Sequence, residues 1–374
     1  MVPLARRTLF HDKARFAVTL CGVVVAVLLI TVQIGLLLGF MSSTTTLIDN
    51  AGAELWIAPV RTPNVDIAAP LPERWIYQAL GESGVADARR MIVYFVNWKR
   101  PDGGTESASI VGMEPGQPMG QPWNVVAGDV KEMSLDDAVF VDELYLEKLG
   151  VTRIGQQVEI NGRRARVAGF TQGIRSFTTS PYVFTSLSNA RGYAHLAEDQ
   201  VTYFVVKAAA GVDVEELRAR LARRLPHAEV LTRQAFARRT QVYWMIETGA
   251  GMALAVAAIM GVIVGVVVVS QTIYATTMDH LREYGTLKAI GASNFFVSSL
   301  IVRQAAWVGT IGYGLGMLAS LLPVRLSQTQ PAAILLPWEL AGFMFVLTLV
   351  MCVAASLTSI NKVMRTEPAL VFKG

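Results

Sequence analysis

Asp279-His-Leu-Arg-Glu-Tyr-Gly-Thr-Leu-Lys-Ala-Ile-Gly-Ala-Ser293 is a short stretch of mixed polarity set between two long hydrophobic runs. Leu281, Tyr284, Leu287 or Lys288, and Ile290 recur every three to four residues. A helix built from them carries its apolar groups and the lysine stem along one stripe. Arg282 and Glu283 face away from it. Gly291 follows the last apolar residue as a terminator, and Ser293 is placed to cap the next helix, so the chain turns sharply here. The pattern predicts a small rigid helix held between two membrane helices, a lever on the inner side.

The flanking sequence supplies the membrane. The chain has 374 residues, of which 52% are hydrophobic, an unusual share for a soluble enzyme. Residues 16–41 form an uncharged apolar run, preceded by Arg6, Arg7, Lys13 and Arg15. About 20 apolar residues cross a bilayer, whereas a cleavable signal has an apolar core of about 7 to 15. The first run therefore reads as an uncleaved helix. Residues 249–275, 304–322 and 338–360 give three more spans.

Positive residues near span ends stay in the cytoplasm, while long loops translocate regardless of charge. The N-terminus (1–15), the lever segment (276–303) and the tail (361–374) carry most of the flanking Lys and Arg, and the 323–337 loop holds only Arg325. Both termini and the lever are thus assigned to the cytoplasm, and residues 42–248 to the outside. That region holds 22 basic and 24 acidic residues; with 33 basic and 29 acidic in all, the remainder has 11 and 5. The positive excess hugs the membrane segments, which argues against nucleic acid as a partner. Tyr243, Trp244 and Trp338 fit aromatic anchoring at the outer interface.

The external region alternates strand and helix signals. Residues 91–98 and the strand ending at Ile110 read as a hairpin around Pro101-Asp-Gly-Gly104. Residues 157–160 and 163–170 flank Asn161-Gly162, a strong hairpin turn. Residues 138–141 read as a strand, with a short helix through Leu149. Asp213 and Glu216 form a capping box for a helix whose Leu217, Leu221 and Leu225 share a face. Strands at 202–207 and 229–232 flank it, and residues 42–50 extend the first span as a stalk. The expected fold class is a four-span α-helical membrane protein with a large α+β extracytoplasmic domain between helices 1 and 2. Arg218, Arg220, Arg223 and Arg224 read as a solvated face, with an adaptor-docking surface as the sharper alternative.

Catalytic chemistry leaves little trace. No lysine precedes Ser or Thr, so there is no P-loop ending. His11, His195, His227 and His280 stand apart, and Cys21 and Cys352 lie in apolar runs, which offers no clustered metal-ligand pattern. Gly261 and Gly265, like Gly312 and Gly316, are four apart on a helix and suit close contact between spans. Gln33, Gln271 and Gln304 are the main polar interruptions of the spans, which makes an ion relay a poor reading.

His280-Leu-Arg-Glu-Tyr-Gly-Thr-Leu-Lys-Ala-Ile-Gly291 resembles the coupling region of MacB/FtsX-like ABC permeases, and within them is most similar to DevC-type export permeases. The likeness extends to Tyr243-Trp244, Thr248-Gly-Ala-Gly251 and Arg365-Thr-Glu-Pro-Ala-Leu370. Residues 139–170 resemble the outer-domain core of MacB-like permeases. The resemblance implies that the lever docks into a groove of a separate cytoplasmic ABC ATPase. Leu281, Glu283, Tyr284, Gly285, Leu287, Lys288, Ile290 and Gly291 then make up the coupling site. Tyr284, Leu287 and Ile290 would be seated in the groove, with Glu283 and Lys288 setting polarity.

It further implies a homodimer in the inner or plasma membrane, in contact with membrane lipids. ATP and magnesium would be held by the partner ATPase, with no cofactor on this chain. A periplasmic adaptor (membrane fusion protein) and an outer-membrane channel are the further partners expected. The expected role is export or extraction of an apolar or amphipathic substrate. The alternative is an FtsX-like transmitter that activates an extracytoplasmic cell-wall hydrolase without moving cargo.

Overall fold

The computed structural model describes residues 13–116, 119–178 and 180–365; the side chains of residues 13–15, 358 and 362–365 stand outside that description. Residues 1–12 and the tail motif beyond Arg365, both used in the sequence reading, lie outside the described residues. The chain divides into two compact units. One holds residues up to 39, 252–327 and from 333 onward; the other holds 40–251 with 328–332.

The first unit is helical. Among the described residues, four helices are long and apolar enough to cross a membrane: Phe16–Asn50, Ala250–Asp279, Asn294–Ser327 and Trp338–Asn361. They are called spans 1 to 4. The second runs past residue 275 to Asp279. The third runs through Pro323 to Ser327, where the expected outer loop begins at 323. A proline costs a helix one N–H and crowds the carbonyl four residues back, and near a helix end little chain remains to be disturbed. Small residues decide how the spans meet. A Cβ on Gly261 or Gly265 would meet Leu29 or Ile30, at 2.9 and 2.7 Å. One on Gly312 or Gly316 would meet Val23 or Val27, at 2.5 and 2.7 Å. Span 1 therefore lies against both span 2 and span 3, where bare glycine backbone lets helices approach in lipid. Gly309 faces Cys352 of span 4, and the Tyr313 hydroxyl donates to the Ala341 carbonyl at 2.9 Å. The non-helical segment before span 4 lies on Gly35 and Gly39, and Leu335 N donates to Gly35 O at 3.0 Å.

The second unit is a mixed α+β domain. Its strands are β1 (Leu55–Pro59), β2 (Leu71–Pro72), β3 (Val85–Lys99), β4 (Thr105–Met113), β5 (Val125–Ala127), β6 (Ala138–Asp142), β7 (Gln157–Ile160), β8 (Arg163–Thr171), β9 (Tyr182–Ser186), β10 (Gln200–Val201), β11 (Tyr203–Ala208) and β12 (Ala228–Thr232). The main sheet runs β12-β1-β11-β3-β4-β9-β6-β8-β5, and β7 pairs with both β3 and β8. β4 with β9 and β6 with β8 are parallel; the other pairings in this sheet are antiparallel. Because β7 joins β3 as well as β8, the strands β3-β4-β9-β6-β8-β7 form a closed circuit.

Both faces of the sheet are buried, and the period-two alternation of strands shows how. Ile92, Val96 and Trp98 enter one core with Phe204, Val206, Leu55 and Ile57, covered by Ile76, Ala190, Leu217 and Leu221 from helices. Met91 and Val93 enter the other with Tyr203, Val205, Trp56, Phe140, Phe184 and Phe236. The Asn161-Gly162 turn takes positive φ at both residues, 47° and 79°, and fixes the β7–β8 register from Ile160↔Arg163 to Gln157↔Arg166. Asp213 caps its helix by accepting from Glu215 N and Glu216 N. The Glu216 carboxylate turns instead to Arg220 at 2.9 Å. The arginine-rich face is partly spent on the fold: Arg220 and Arg224 both reach Glu82, at 3.2 Å each, and also bind the carbonyls of Ser83 and Gly81.

Candidate functional site: the lever between spans 2 and 3

Span 2 ends at Asp279, the short helix Leu281–Ala289 follows, and span 3 begins at Asn294. The stop and restart are built from local chemistry. Gly291 takes φ 97°, a conformation that favours glycine. Its N–H bonds Lys288 O at 3.0 Å and Ala292 N bonds Leu287 O at 2.9 Å, which closes the helix end in a Schellman motif. Ser293 Oγ then accepts from Phe296 N at 3.2 Å and caps span 3.

The apolar stripe is buried inward. Tyr284 is 2% exposed and sits in a cluster with Val297, Leu300, Ile301 and Ile360, against which Leu281 and Leu287 pack half-buried. Its hydroxyl donates to Gln304 Oε1 at 2.7 Å. Burial raises the phenol's pKa, so it stays a neutral donor. Gly285 is buried beside it. His280, 9% exposed, lies 3.0 Å from Glu283 Oε1 through Nδ1. Behind these residues a small cleft of about 30 Å³ is lined by Thr19, Thr276, Thr277, His280, Tyr284 and Gln304 with apolar neighbours. Thr19 and Thr276 hydroxyls meet there at 2.6 Å.

Tyr284 is buried against spans 3 and 4, and Leu281 and Leu287 pack half-buried on the same cluster, so this stripe seats the lever on the protein's own spans. Ile290 departs from the stripe because the helix stops at Ala289, and it stands 77% exposed. Phe295, in the first turn of span 3, is 84% exposed. Arg282, Glu283, Thr286, Ala289 and Gly291 are exposed too, and Lys288 is half-buried. The outward surface is thus a charged face bearing two bare apolar groups, Ile290 and Phe295. Phe295 escaped the sequence reading, although it falls off the Val297, Leu300, Ile301 spacing that marks the buried side of span 3.

The aromatic residues assigned to the outer interface divide. Trp338 is 81% exposed. Trp244 is half-buried and packs on Phe177 with ring centres 5.1 Å apart.

Comparison with known proteins agrees with both units. Residues 16–224 match the model of the MacB-like periplasmic core domain, and residues 237–368 match that of the FtsX-like permease C-terminal region. An uncharacterised ABC transporter permease of Mycobacterium tuberculosis (strain ATCC 25618 / H37Rv) is 22% identical over 240 residues, covering 62% of this chain and 62% of its own. One of Mycobacterium bovis (strain ATCC BAA-935 / AF2122/97) is 21% identical over 233 residues, also covering 62% of each chain. The match thus spans about three fifths of the length of these relatives. Among solved structures, the periplasmic region of MacB from Actinobacillus actinomycetemcomitans aligns with a TM-score of 0.39 at 13% identity, covering 51% of this chain and 94% of that one. With four membrane helices, the large external domain between the first two, and matches to both halves of the architecture, the chain belongs to the MacB/FtsX-like family of ABC transporter permeases.

Proposed function

We propose that this chain is the non-catalytic permease subunit of an ABC exporter, driven by a separate cytoplasmic ATPase that docks on the lever. The observation that carries this reading is the two-sided lever. Its inner face is fixed to the spans by Tyr284, and its outer face offers Ile290 and Phe295 to a partner. Exposed aromatic and aliphatic anchors in a polar rim are what a protein groove takes up. Glu283 and Arg282 beside them set the polarity of docking. The cargo is apolar or amphipathic, in keeping with spans whose polar interruptions are few. Both termini are cytoplasmic, the working unit is a homodimer with two levers for two ATPases, and a periplasmic adaptor with an outer-membrane channel completes the path.

A second reading, an FtsX-like transmitter that activates a cell-wall hydrolase, is favoured by the dense packing of both faces of the external sheet, which suits a body that passes on movement. The test is reconstitution of the permease with its ATPase in lipid. ATP hydrolysis stimulated by an apolar cargo, lost in Ile290→Glu with Phe295→Glu, supports export. Hydrolysis that ignores cargo while a hydrolase co-purifies and gains activity supports the transmitter. An ATPase that never binds the lever overturns both.

A further inference from the structure

The loop between β8 and β9 has no motif, yet it makes bonds in three directions. Toward the sheet, Gly173 N and Ile174 N donate to the Asp142 carboxylate at 3.2 and 2.8 Å, and Ser176 N donates to the Tyr145 hydroxyl at 3.1 Å. Asp142 and Tyr145 are fully buried at the end of β6, and Asp142 also accepts from Thr171 Oγ1 and Leu144 N. The loop is therefore fixed at this end. In a second direction, Arg175 Nη2 donates to Gln328 O at 2.6 Å and Arg175 Nε to Gln330 O at 3.3 Å. These carbonyls belong to the turn that directly follows the span 3 helix. In the third, Phe177 makes T-shaped contacts with Phe40 and Trp244, at 4.1 and 5.1 Å. Phe40 lies on the helix of span 1, and Trp244 on the π-helical turn Tyr243–Glu247 that leads into span 2.

Five consecutive residues thus hold chain segments adjoining spans 1, 2 and 3 to one buried carboxylate. The chemistry of Arg175 is what makes this a sensor of shape. A planar guanidinium binds two carbonyls at once only when they are spaced to match its fork, and a backbone carbonyl carries no side-chain identity. Arg175 reads the conformation of the 328–330 turn. Since the neighbouring amides of residues 174 and 176 are committed to Asp142 and Tyr145, any displacement of that turn is carried into the end of β6.

We propose that residues 173–177 are a mechanical clasp, with Arg175 as a positioning residue that passes movement of the 328–330 turn into the external sheet. The clasp as a coupling between two segments stands on its own; its use in an ATP-driven stroke rests on the transporter reading above.

The experiment is hydrogen exchange on the full-length permease in lipid nanodiscs, comparing wild type, Arg175→Ala and Arg175→Lys. Arg175→Ala removes none of the bonds to Asp142 or Tyr145. The clasp nonetheless requires the amides of residues 173–176 to exchange about tenfold faster in it, the size expected from losing a charged hydrogen-bond donor. Peptides covering 108–113 stay unchanged, which separates the effect from unfolding. Arg175→Lys, which can hold one carbonyl, falls between. Wild-type exchange at 173–176 in Arg175→Ala overturns the proposal. With the ATPase and a trapped nucleotide, exchange at 328–330 responds in both wild type and Arg175→Ala, while residues 173–176 respond in wild type alone. An equal response at 173–176 in both overturns the clasp. A permease that binds no ATPase refutes the transporter reading and leaves the nucleotide-free comparison to decide the clasp.

Discussion

The hydroxyl of Tyr284 donates to the side-chain oxygen of Gln304 at 2.7 Å, and this bond runs from the short helix to the body of span 3. Together with the packing of the ring on Val297, Leu300 and Ile301, it ties the lever to the start of span 3. Tyr284→Phe keeps the packing and removes the bond, at a cost of about 1 kcal/mol. The permease should still fold and still bind its ATPase, with transport per ATP lowered. A double-mutant cycle with Gln304→Leu should give a coupling energy of about 1 kcal/mol in thermal unfolding. Additive effects would mean that the bond is not made.

Ile290→Glu and Phe295→Glu act on the other face. Neither side chain is buried, so stability should change by less than about 0.5 kcal/mol. Affinity for the ATPase, measured by pull-down or interferometry, should fall at least about tenfold for the pair, since truncation of interface anchors typically costs more than about 1 kcal/mol each. Unchanged affinity removes this surface from the docking site.

Glycine substitutions separate contact from mere helix content. Gly316→Leu forces a side chain against Val27 and the carbonyl of Val24 and should destabilise the bundle by about 1 to 3 kcal/mol. Gly314, where nothing stands within 4 Å, should accept alanine with no loss. Thermal unfolding in a mild detergent reads both; equal effects at 314 and 316 would contradict the span contacts.

Asp66 supplies a pH dependence in the external domain. It is 4% exposed, and burial raises its pKa from 3.8 to about 6 against the opposing hydrogen bond from the Tyr182 hydroxyl at 2.9 Å. The nearby Trp244 indole also favours the charged form, although its N–H finds no partner in good hydrogen-bond geometry. A carboxylate whose folded value lies above its unfolded one binds the proton more tightly when native. Its contribution is present in full below about pH 4 and is lost as pH rises through about 6, a change on the order of 3 kcal/mol. Asp66→Asn should flatten this slope between pH 4 and 6 in thermal unfolding of the full chain, leaving the part that belongs to Asp142, whose pKa burial also raises. A slope that is undiminished in Asp66→Asn assigns it to other groups.

The local sequence was readable where one residue type solves a local problem. Asn161-Gly162 accepts two positive φ angles, Gly291 and Ser293 stop one helix and start another, and Asp213 caps a third; each can be seen without knowing the rest of the chain. Long-range choices were not readable. That β4 lies parallel to β9 and β6 to β8 depends on which strands finally meet, and no short window records it. The lever shows the same division. Periodicity announces an apolar stripe through Leu281, Tyr284 and Leu287, but whether a partner or the protein's own spans cover that stripe is decided by Val297, Leu300 and Ile360, up to 79 residues away in the chain (360 minus 281). Gly35 and Gly39 carry a small-residue spacing like that of the other glycine pairs, and what they admit is a non-helical segment, residues 333–335, rather than a helix.

The double pairing of β7 has a further consequence. A sheet normally ends in two strands with free backbone donors and acceptors, and such edges recruit foreign strands or seed aggregation. By joining β3 to β8, β7 covers two such rims at once and leaves β12 and β5 as the ends of the main sheet. Among the described residues, a polypeptide that docks by extending the main sheet through main-chain bonds finds its outer edges at β12 and β5.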